Sequence, residues 1–116
     1  MTTDTVLNAM DEDLAVKALA ALAQTSRLRV FRAIVGAGPE GMQPGQLSQA
    51  LAVPANTLSF HLKELLHAGL VSQERKGRHL IYRAAYARMN EVLSYLTDNC
   101  CQGQPCLDEA AIACAC

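Results

Sequence analysis

The stretch QLSQALAVPANTLSFHLKELLHAGLV, residues 46–71, contains two short apolar-periodic segments on either side of Pro54. The residue before a proline disfavours the helical conformation, so a helix that starts at Pro44 is predicted to end just before Pro54. A second helix is predicted to begin at Pro54 or at the next residue and to run to Ala68, because Gly69 then closes it. Two short helices joined by a tight turn indicate a helix-turn-helix.

The second of these helices has two faces of opposite character. One face carries leucines at helical spacing and is predicted to pack in the core; its residues are Leu58, Leu62, Leu65 and Leu66. The opposite face carries polar groups that can hydrogen-bond to DNA. The DNA-binding candidates on this helix are Asn56, Thr57 and Ser59 for base edges, Lys63 for a phosphate, and Phe60 and His61. Phe60 also fits a partly buried apolar residue, and His61 fits a packing or hydrogen-bonding histidine between helices.

Two strand-like segments, residues 70–75 and 79–83, follow this helix and flank Lys76-Gly77-Arg78. This pattern predicts a β-hairpin with a basic tip. A helix-turn-helix followed by a basic hairpin is the winged-helix arrangement, in which the second helix enters the major groove, about 12 Å wide, and the hairpin tip crosses phosphates. We therefore add Arg75, Lys76 and Arg78 to the DNA-binding candidates. The alternative is a basic turn that is merely solvated.

Three further helices follow from the apolar spacing. They are predicted at about residues 12–24, from Thr25 to Gly36, and from Tyr86 to Asn99. The apolar face of the second of them is predicted to be Leu28, Val30, Phe31, Ile34 and Val35. The predicted fold class is mainly α with a small β-hairpin, a winged helix-turn-helix that forms a homodimer through its terminal helices. The predicted domains are 1–99, for DNA binding and dimerisation, and a cysteine-rich tail at 100–116.

The charge of the chain is unevenly distributed. The formal net charge over 116 residues is −1, which by itself gives no sign of a nucleic-acid partner. Residues 54–83, however, carry five basic and two acidic groups, whereas residues 84–116 carry one basic and four acidic groups. No acidic residue occurs between Glu40 and Glu64. The helix-turn-helix segment can therefore approach DNA without like-charge repulsion.

The sequence also excludes several function classes. Met1 is followed by Thr-Thr-Asp, without the basic and apolar regions of a secretory signal, and the longest uncharged run, residues 41–62, contains two prolines and is no membrane span. All five cysteines lie from Cys100 onward, so an oxidised secreted scaffold is disfavoured. We expect a cytoplasmic protein with free thiols and no membrane partner. There is no Gly-rich loop and no general base beside a cysteine, so an enzyme is not expected.

Three segments resemble one known family. TLSFHLKELLHAGLV at residues 57–71 resembles the recognition-helix signature of the ArsR/SmtB repressors. AALAQTSRLR at residues 20–29 is similar to their entry motif, and GRHLIY at residues 77–82 to their wing. The likeness covers roughly residues 14–99. It implies a homodimeric winged-helix repressor that binds double-stranded operator DNA and is released when a metal or metalloid binds.

The resemblance also bears on the inducer site, which lies in different elements in different members of that family. The helix at residues 46–51 contains no cysteine, and the last helix contains no histidine, so two of these sites are absent. The segment NCCQGQPC at residues 99–106 resembles the arsenic-responsive subgroup with a vicinal cysteine pair and a third cysteine a few residues on. The candidate ligands are therefore Cys100, Cys101 and Cys106.

The chemistry of three thiolates agrees with that resemblance. Soft thiolates select thiophilic ions, and three sulfurs suit As(III) as the inducer, with Sb(III) or methylarsenite as alternatives. Zinc would normally take four ligands and could recruit Cys114 or Cys116, so zinc and cadmium stay open. Binding would order the tail against the last helix and change the spacing of the two recognition helices. The alternative function is a thiol redox or persulfide sensor on the same fold.

Overall fold

The computed structural model describes residues 10–97, which form five α-helices and one β-hairpin. In chain order the elements are α1 (Glu12–Leu22), α2 (Thr25–Ala37), a 3₁₀ turn (Gly38–Glu40), α3 (Pro44–Leu51), α4 (Ala55–His67), β1 (Val71–Lys76), β2 (His79–Ala84) and α5 (Tyr86–Thr97). The predicted mainly helical fold with one hairpin is confirmed. The predicted boundary between residues 99 and 100 lies outside the described residues.

Two helices begin with side-chain caps that the local sequence supplies. In α1, the Oδ1 atom of Asp11 accepts a hydrogen bond from the backbone N–H of Leu14 at 2.8 Å. The acidic first turn of α1 also suits the positive end of the helix dipole. In α3, the backbone N–H of Gln43 donates to Oε1 of Gln46 at 2.8 Å, and Pro44 occupies the first turn. α1 ends at Leu22, two residues earlier than predicted.

The core is built around α2, which packs against α1, α3, α4 and β2. Aliphatic side chains from several elements are fully buried there; the largest are Ile34, Leu47, Leu58, Leu65, Leu70 and Val30. Burying one such side chain contributes about 1.5–3 kcal/mol. The leucine face predicted for α4 is thus the face that fixes this helix to the rest of the domain.

The hairpin is antiparallel, with a register from Val71 opposite Ala84 to Lys76 opposite His79. This register leaves a two-residue turn, residues 77 and 78, instead of the three-residue tip expected from the sequence. Gly77 has φ +62°, and a left-handed first turn residue is what the twist of a two-residue hairpin requires. Lys76 therefore ends β1, one residue before the turn.

A second pairing anchors the hairpin to the helix-turn-helix. The backbone N–H of Met42 donates to the carbonyl oxygen of Tyr82 at 2.9 Å, and the N–H of Tyr82 donates to the carbonyl oxygen of Met42 at 2.8 Å. Met42 lies two residues before α3. The wing and the first helix of the helix-turn-helix are therefore fixed to each other through the backbone.

Candidate nucleic-acid interface

The turn between α3 and α4 is closed by a pair of hydrogen bonds. Ala52 adopts the left-handed conformation, with φ 56° and ψ 44°, and ends α3. The backbone N–H of Val53 then donates to the carbonyl oxygen of Ser48 at 3.1 Å, and the Ser48 hydroxyl donates to the carbonyl oxygen of Val53 at 2.6 Å. These bonds fix the angle at which α4 leaves α3, which is what a helix-turn-helix needs to present its second helix.

The other end of α4 is closed as firmly. The N–H of Gly69 donates to the carbonyl oxygen of Leu66, and the N–H of Leu70 donates to that of Leu65, both at 3.0 Å. This is the Schellman arrangement, in which the residue after the helix cap is left-handed; Gly69 has φ +76°. Since Leu70 is buried, the chain turns directly from α4 into β1. The position of the candidate recognition helix is therefore defined at both ends.

The outer face of α4 is exposed along its whole length. Its exposed side chains are Asn56, Thr57, Ser59, Phe60, Lys63 and His67. Of these, Phe60 is 53 % exposed, so it is a surface residue and not the partly buried one that the alternative allowed. Five of the six predicted contact residues on this helix thus share one accessible face.

His61 is the exception, and the structure places it in the core. His61 is only 4 % exposed. Its Nδ1 accepts a hydrogen bond from Nε of Arg27 at 3.4 Å. Burial, and after it the positive charge of Arg27, lower the pKa of His61, so the imidazole is neutral near pH 7. The expectation that His61 contacts DNA is corrected accordingly: it is the packing histidine of the second interpretation.

Arg27 is a buried residue beside this face that the sequence pattern did not indicate. It lies in the first turn of α2 and is only 9 % exposed. Its Nη1 donates to the carbonyl oxygen of Ala21 in α1 at 3.4 Å, and its Cζ lies 5.5 Å from the centre of the Phe60 ring. The motif at residues 20–29 contains Arg27, but an arginine next to a leucine on an amphipathic helix is ordinarily read as solvated.

The wing carries three exposed cations that have no acidic partner within residues 10–97. They are Arg75, Lys76 and Arg78. Arg83, the remaining basic residue of the hairpin, pairs with Glu74 at 2.6 Å and also donates to the carbonyl oxygen of Pro39 at 2.7 Å. The one acidic side chain of the strands is therefore neutralised locally. The charge that the hairpin presents to a partner comes from its tip.

A different surface covers the two terminal helices. Large apolar side chains are exposed along α1 at Leu14, Val16 and Leu19, and along α5 at Leu93, Tyr95 and Leu96. Between the two helices lies an apolar cavity of about 100 Å³. Its lining includes Leu19, Leu22, Met89, Leu93 and Leu96. Such a surface is typical of a protein–protein contact.

The predicted ligands Cys100, Cys101 and Cys106 lie outside the described residues, as do Cys114 and Cys116. Within residues 10–97, no group of three or more His, Cys, Asp or Glu side chains is placed to hold a metal ion. No helix in this part of the chain is long and apolar enough to span a membrane.

Comparison with known proteins agrees with this geometry. A family model described as "Helix-turn-helix domain" matches residues 22–74. One curated relative, the uncharacterized HTH-type transcriptional regulator YdfF of Bacillus subtilis, is 40 % identical over 52 residues, which are 45 % of this chain and 23 % of the relative. The chain thus matches about a quarter of that relative's length.

Solved structures resemble the chain over most of its length. An ArsR-like transcriptional regulator from Rhodococcus sp. RHA1 has a TM-score of 0.71 at 21 % identity, covering 89 % of this chain and 90 % of that one. A possible transcriptional regulator for arsenical resistance has a TM-score of 0.62 at 21 % identity, covering 85 % and 94 %. The homodimeric winged helix-turn-helix DNA-binding domain of a possible ArsR-family regulator from Mycobacterium bovis has a TM-score of 0.60 at 21 % identity, covering 91 % and 94 %.

Fold and surface together define a winged helix-turn-helix protein. The helix-turn-helix family model matches residues 22–74, and the overall fold resembles that of an ArsR-like transcriptional regulator of known structure. Both the ArsR-like structure from Rhodococcus and the relative from Bacillus subtilis are described as transcriptional regulators.

Proposed function

We propose that the protein is a transcriptional repressor that binds double-stranded operator DNA as a homodimer and is released by trivalent arsenic. The observation that carries the DNA-binding part is the outer face of α4, where Asn56, Thr57, Ser59 and Lys63 are exposed together. The adjoining turn contributes no acidic side chain, since none occurs between Glu40 and Glu64. Small polar side chains on the second helix of a helix-turn-helix are suited to base edges in the major groove.

In this proposal the outer face of α4 and the wing have different roles. Asn56, Thr57 and Ser59 contact base edges, Phe60 packs on an apolar base edge, and Lys63 binds a phosphate. The three wing cations, Arg75, Lys76 and Arg78, neutralise phosphates and supply affinity that does not depend on sequence. His61 has no direct role at the DNA, because its side chain lies in the core.

The exposed apolar surface of α1 and α5 supports dimerisation through the terminal helices. The relative from Mycobacterium bovis is described as homodimeric. A dimer would present two copies of α4 to half-sites about one helical turn apart, and each copy would supply half of the specific contacts.

The inducer proposal rests on the cysteines that follow α5. Cys100, Cys101 and Cys106 would bind As(III) through three thiolates, with Sb(III) as a chemically similar alternative. One of the structural relatives is described as a possible transcriptional regulator for arsenical resistance. In the sequence, the cysteines follow a helix of the proposed dimer surface. Binding of an ion to them would therefore change the relative position of the two protomers and weaken operator affinity.

Fluorescence anisotropy tests the whole proposal. A labelled duplex from the promoter of the protein's own gene is titrated with fully reduced protein, and the complex is then titrated with As(III), Sb(III), Zn(II) and Cd(II). We expect As(III) to release the DNA from the wild type. The Cys100→Ser, Cys101→Ser and Cys106→Ser variants should bind the duplex with unchanged Kd and stay bound when As(III) is added. The Cys114→Ser/Cys116→Ser variant is the matched control and should still be released.

Two results would contradict the proposal in different ways. If the wild type bound the promoter no better than a random duplex, the DNA-binding part would be wrong. If a peroxide or a persulfide released the DNA and no metalloid did, the protein would be the thiol sensor that the sequence left as an alternative.

A further inference from the structure

We propose that Arg27 is a positioning residue for the recognition helix, tying α4 to the end of α1 and setting the orientation of Phe60 on the DNA-facing surface. This inference rests on the proposed DNA-binding function of α4 and adds a residue that neither the sequence motif nor the exposed surface assigns to it. Arg27 itself is 9 % exposed and therefore has little surface of its own to offer to DNA.

Three contacts of one side chain carry the argument. The guanidinium donates from Nη1 to the carbonyl oxygen of Ala21 at the end of α1 and from Nε to Nδ1 of His61 in α4, both at 3.4 Å. Its Cζ also lies 5.5 Å from the centre of the Phe60 ring, within the range of a cation–π contact. The two hydrogen bonds are longer than the usual 2.7–3.2 Å, so the contribution of Arg27 to the position of α4 comes from the three contacts together.

The chemistry of these contacts requires an arginine. The guanidinium is planar and carries five N–H donors, so it can serve Ala21 and His61 with different nitrogens while its face lies against an aromatic ring. No acidic side chain within residues 10–97 forms an ion pair with Arg27. Burial of an unpaired charge opposes folding, so the buried position of Arg27 fits a requirement for a defined geometry more than a contribution to stability.

The neighbouring imidazole is in the state that this arrangement needs. His61 can accept a hydrogen bond at Nδ1 only when it is neutral, and its lowered pKa favours that form. Phe60, the other α4 residue that Arg27 contacts, lies at the surface. It follows Asn56 by one helical turn and is 53 % exposed. A displacement of Arg27 would therefore move a side chain of the proposed reading face.

The arrangement also connects the two functional surfaces. α1 carries part of the exposed apolar surface, and Ala21 lies in its last turn. A shift of α1 relative to α2 would change the Ala21–Arg27 contact first and would reach His61 and Phe60 through the same guanidinium.

The test compares Arg27→Gln and Arg27→Lys with Arg29→Gln. Arg29 lies on the same helix, is exposed, and loses the same charge. Each protein's affinity is measured for a duplex that the wild type selects from a random library and for an unselected duplex, over a series of salt concentrations. We expect Arg27→Gln to bind the selected duplex about tenfold or more weakly than Arg29→Gln does. The two variants should bind the unselected duplex with equal affinity. The salt slope of Arg27→Gln should equal that of the wild type. Arg27→Lys should lie between wild type and Arg27→Gln.

A role in direct phosphate binding gives a different result. Loss of one phosphate contact would weaken both duplexes alike and reduce the salt slope by about 0.9. That outcome, or an unchanged ratio of the two affinities, would overturn the inference while leaving the proposed DNA binding intact.

Hydrogen exchange of the free protein tests the positioning role without DNA. It uses Arg27→Lys, so it can be done even if Arg27→Gln does not fold. In Arg27→Lys, the amides of α4 should exchange faster than in the wild type, whereas those of the hairpin should be unaffected. Equal protection of α4 in both proteins would refute the positioning role even if the wild type had no sequence preference for DNA.

Discussion

The reading head, which consists of the outer face of α4 and the wing tip, and the terminal-helix surface on α1 and α5 are both exposed, yet their chemistry is opposite. The head exposes small polar groups and cations, among them Asn56, Lys63 and Arg78. The terminal helices expose large apolar side chains, and Leu93 and Leu96 are each 55 % exposed. The two regions are joined through α2, against which both α1 and α4 pack.

The difference shows which kind of partner each surface suits. Phosphates and the polar groups of base edges demand charge and hydrogen-bonding groups, which a wholly apolar surface does not offer. Association with a second copy of the protein buries apolar area, which contributes a free energy of about 25 cal/mol per Å². In the proposed function, one short chain divides its surface between a nucleic-acid partner and a protein partner, and the formal net charge of −1, a sum over all 116 residues, does not show this division.

The largest effect is expected from breaking the terminal-helix surface. Leu93→Glu with Leu96→Glu places two charges in the proposed dimer contact, where each copy would bury them. Because loss of dimerisation removes the avidity of two linked half-sites, operator affinity should fall about 10²–10⁴-fold. Sedimentation should show a monomer at concentrations at which the wild type is a dimer.

The matched control for this variant is Leu28→Glu on α2, another exposed leucine, which should leave the dimer intact. A wild-type protein that sediments as a monomer while it binds the operator tightly would contradict the assignment of this surface.

The next effect concerns the wing. Replacement of Arg75, Lys76 and Arg78 by Gln removes three phosphate contacts without touching the base-reading face. The slope of log K against log[salt] should become shallower by about 2.7, at about 0.9 per contact. Affinity for specific and unselected duplexes should fall by the same factor, which a titration of both at several salt concentrations measures.

Arg88→Gln is the control for the wing, since Arg88 lies on α5 and pairs with Glu91 at 3.4 Å. An unaltered salt slope in the triple variant would show that the wing is a solvated turn, the alternative that the sequence left open.

The comparison also explains how far the sequence could predict the structure. Every α-helix and strand that the structure describes was predicted in type, because apolar spacing, Pro54 and the Gly-containing turns are local signals, whereas the 3₁₀ turn at Gly38–Glu40 was not predicted. The α2 helix shows where such signals fail. Leu28 was predicted to face the core but is 41 % exposed, whereas Arg27 beside it is 9 % exposed.

The reason is that burial in the first turn of α2 depends on what packs there. The end of α1 and the α4 helix meet at this turn, and they offer a carbonyl, an imidazole and an aromatic ring to a donor. From apolar periodicity alone, an arginine is expected on the exposed face of a helix. The same lack of tertiary information made His61 a candidate for DNA contact.

A smaller effect is expected at Phe60, which is the one large apolar side chain on the otherwise polar outer face of α4. An exposed aromatic ring in the major groove can pack on the methyl group of thymine. Removal of that methyl, by replacing a contacted dT with dU in the selected duplex, should cost the wild type about fourfold in affinity, since one buried methyl group contributes about 0.8 kcal/mol.

Phe60→Ala should lose this sensitivity to the methyl group, and Thr57→Ala should keep it. A scan of dU through each half-site by anisotropy locates the contact. If no single dU substitution distinguished the wild type from Phe60→Ala, the ring would not read a thymine.

The smallest effect is expected from pH, and it tests whether the inner side of α4 is held by a neutral histidine. The pKa of His61 is lowered in the folded protein, so folding favours the neutral form. Its contribution to the free energy of unfolding is complete above the unfolded pKa of about 6.5 and is lost as the pH falls through the lower folded value. Urea unfolding of wild type and His61→Gln at about pH 7.5 and about pH 5 should therefore show a larger loss in the wild type. His67→Gln, at an exposed position of the same helix, is the control and should lose as much unfolding free energy as the wild type. Equal losses in the wild type and His61→Gln would mean that protonation of His61 does not oppose folding.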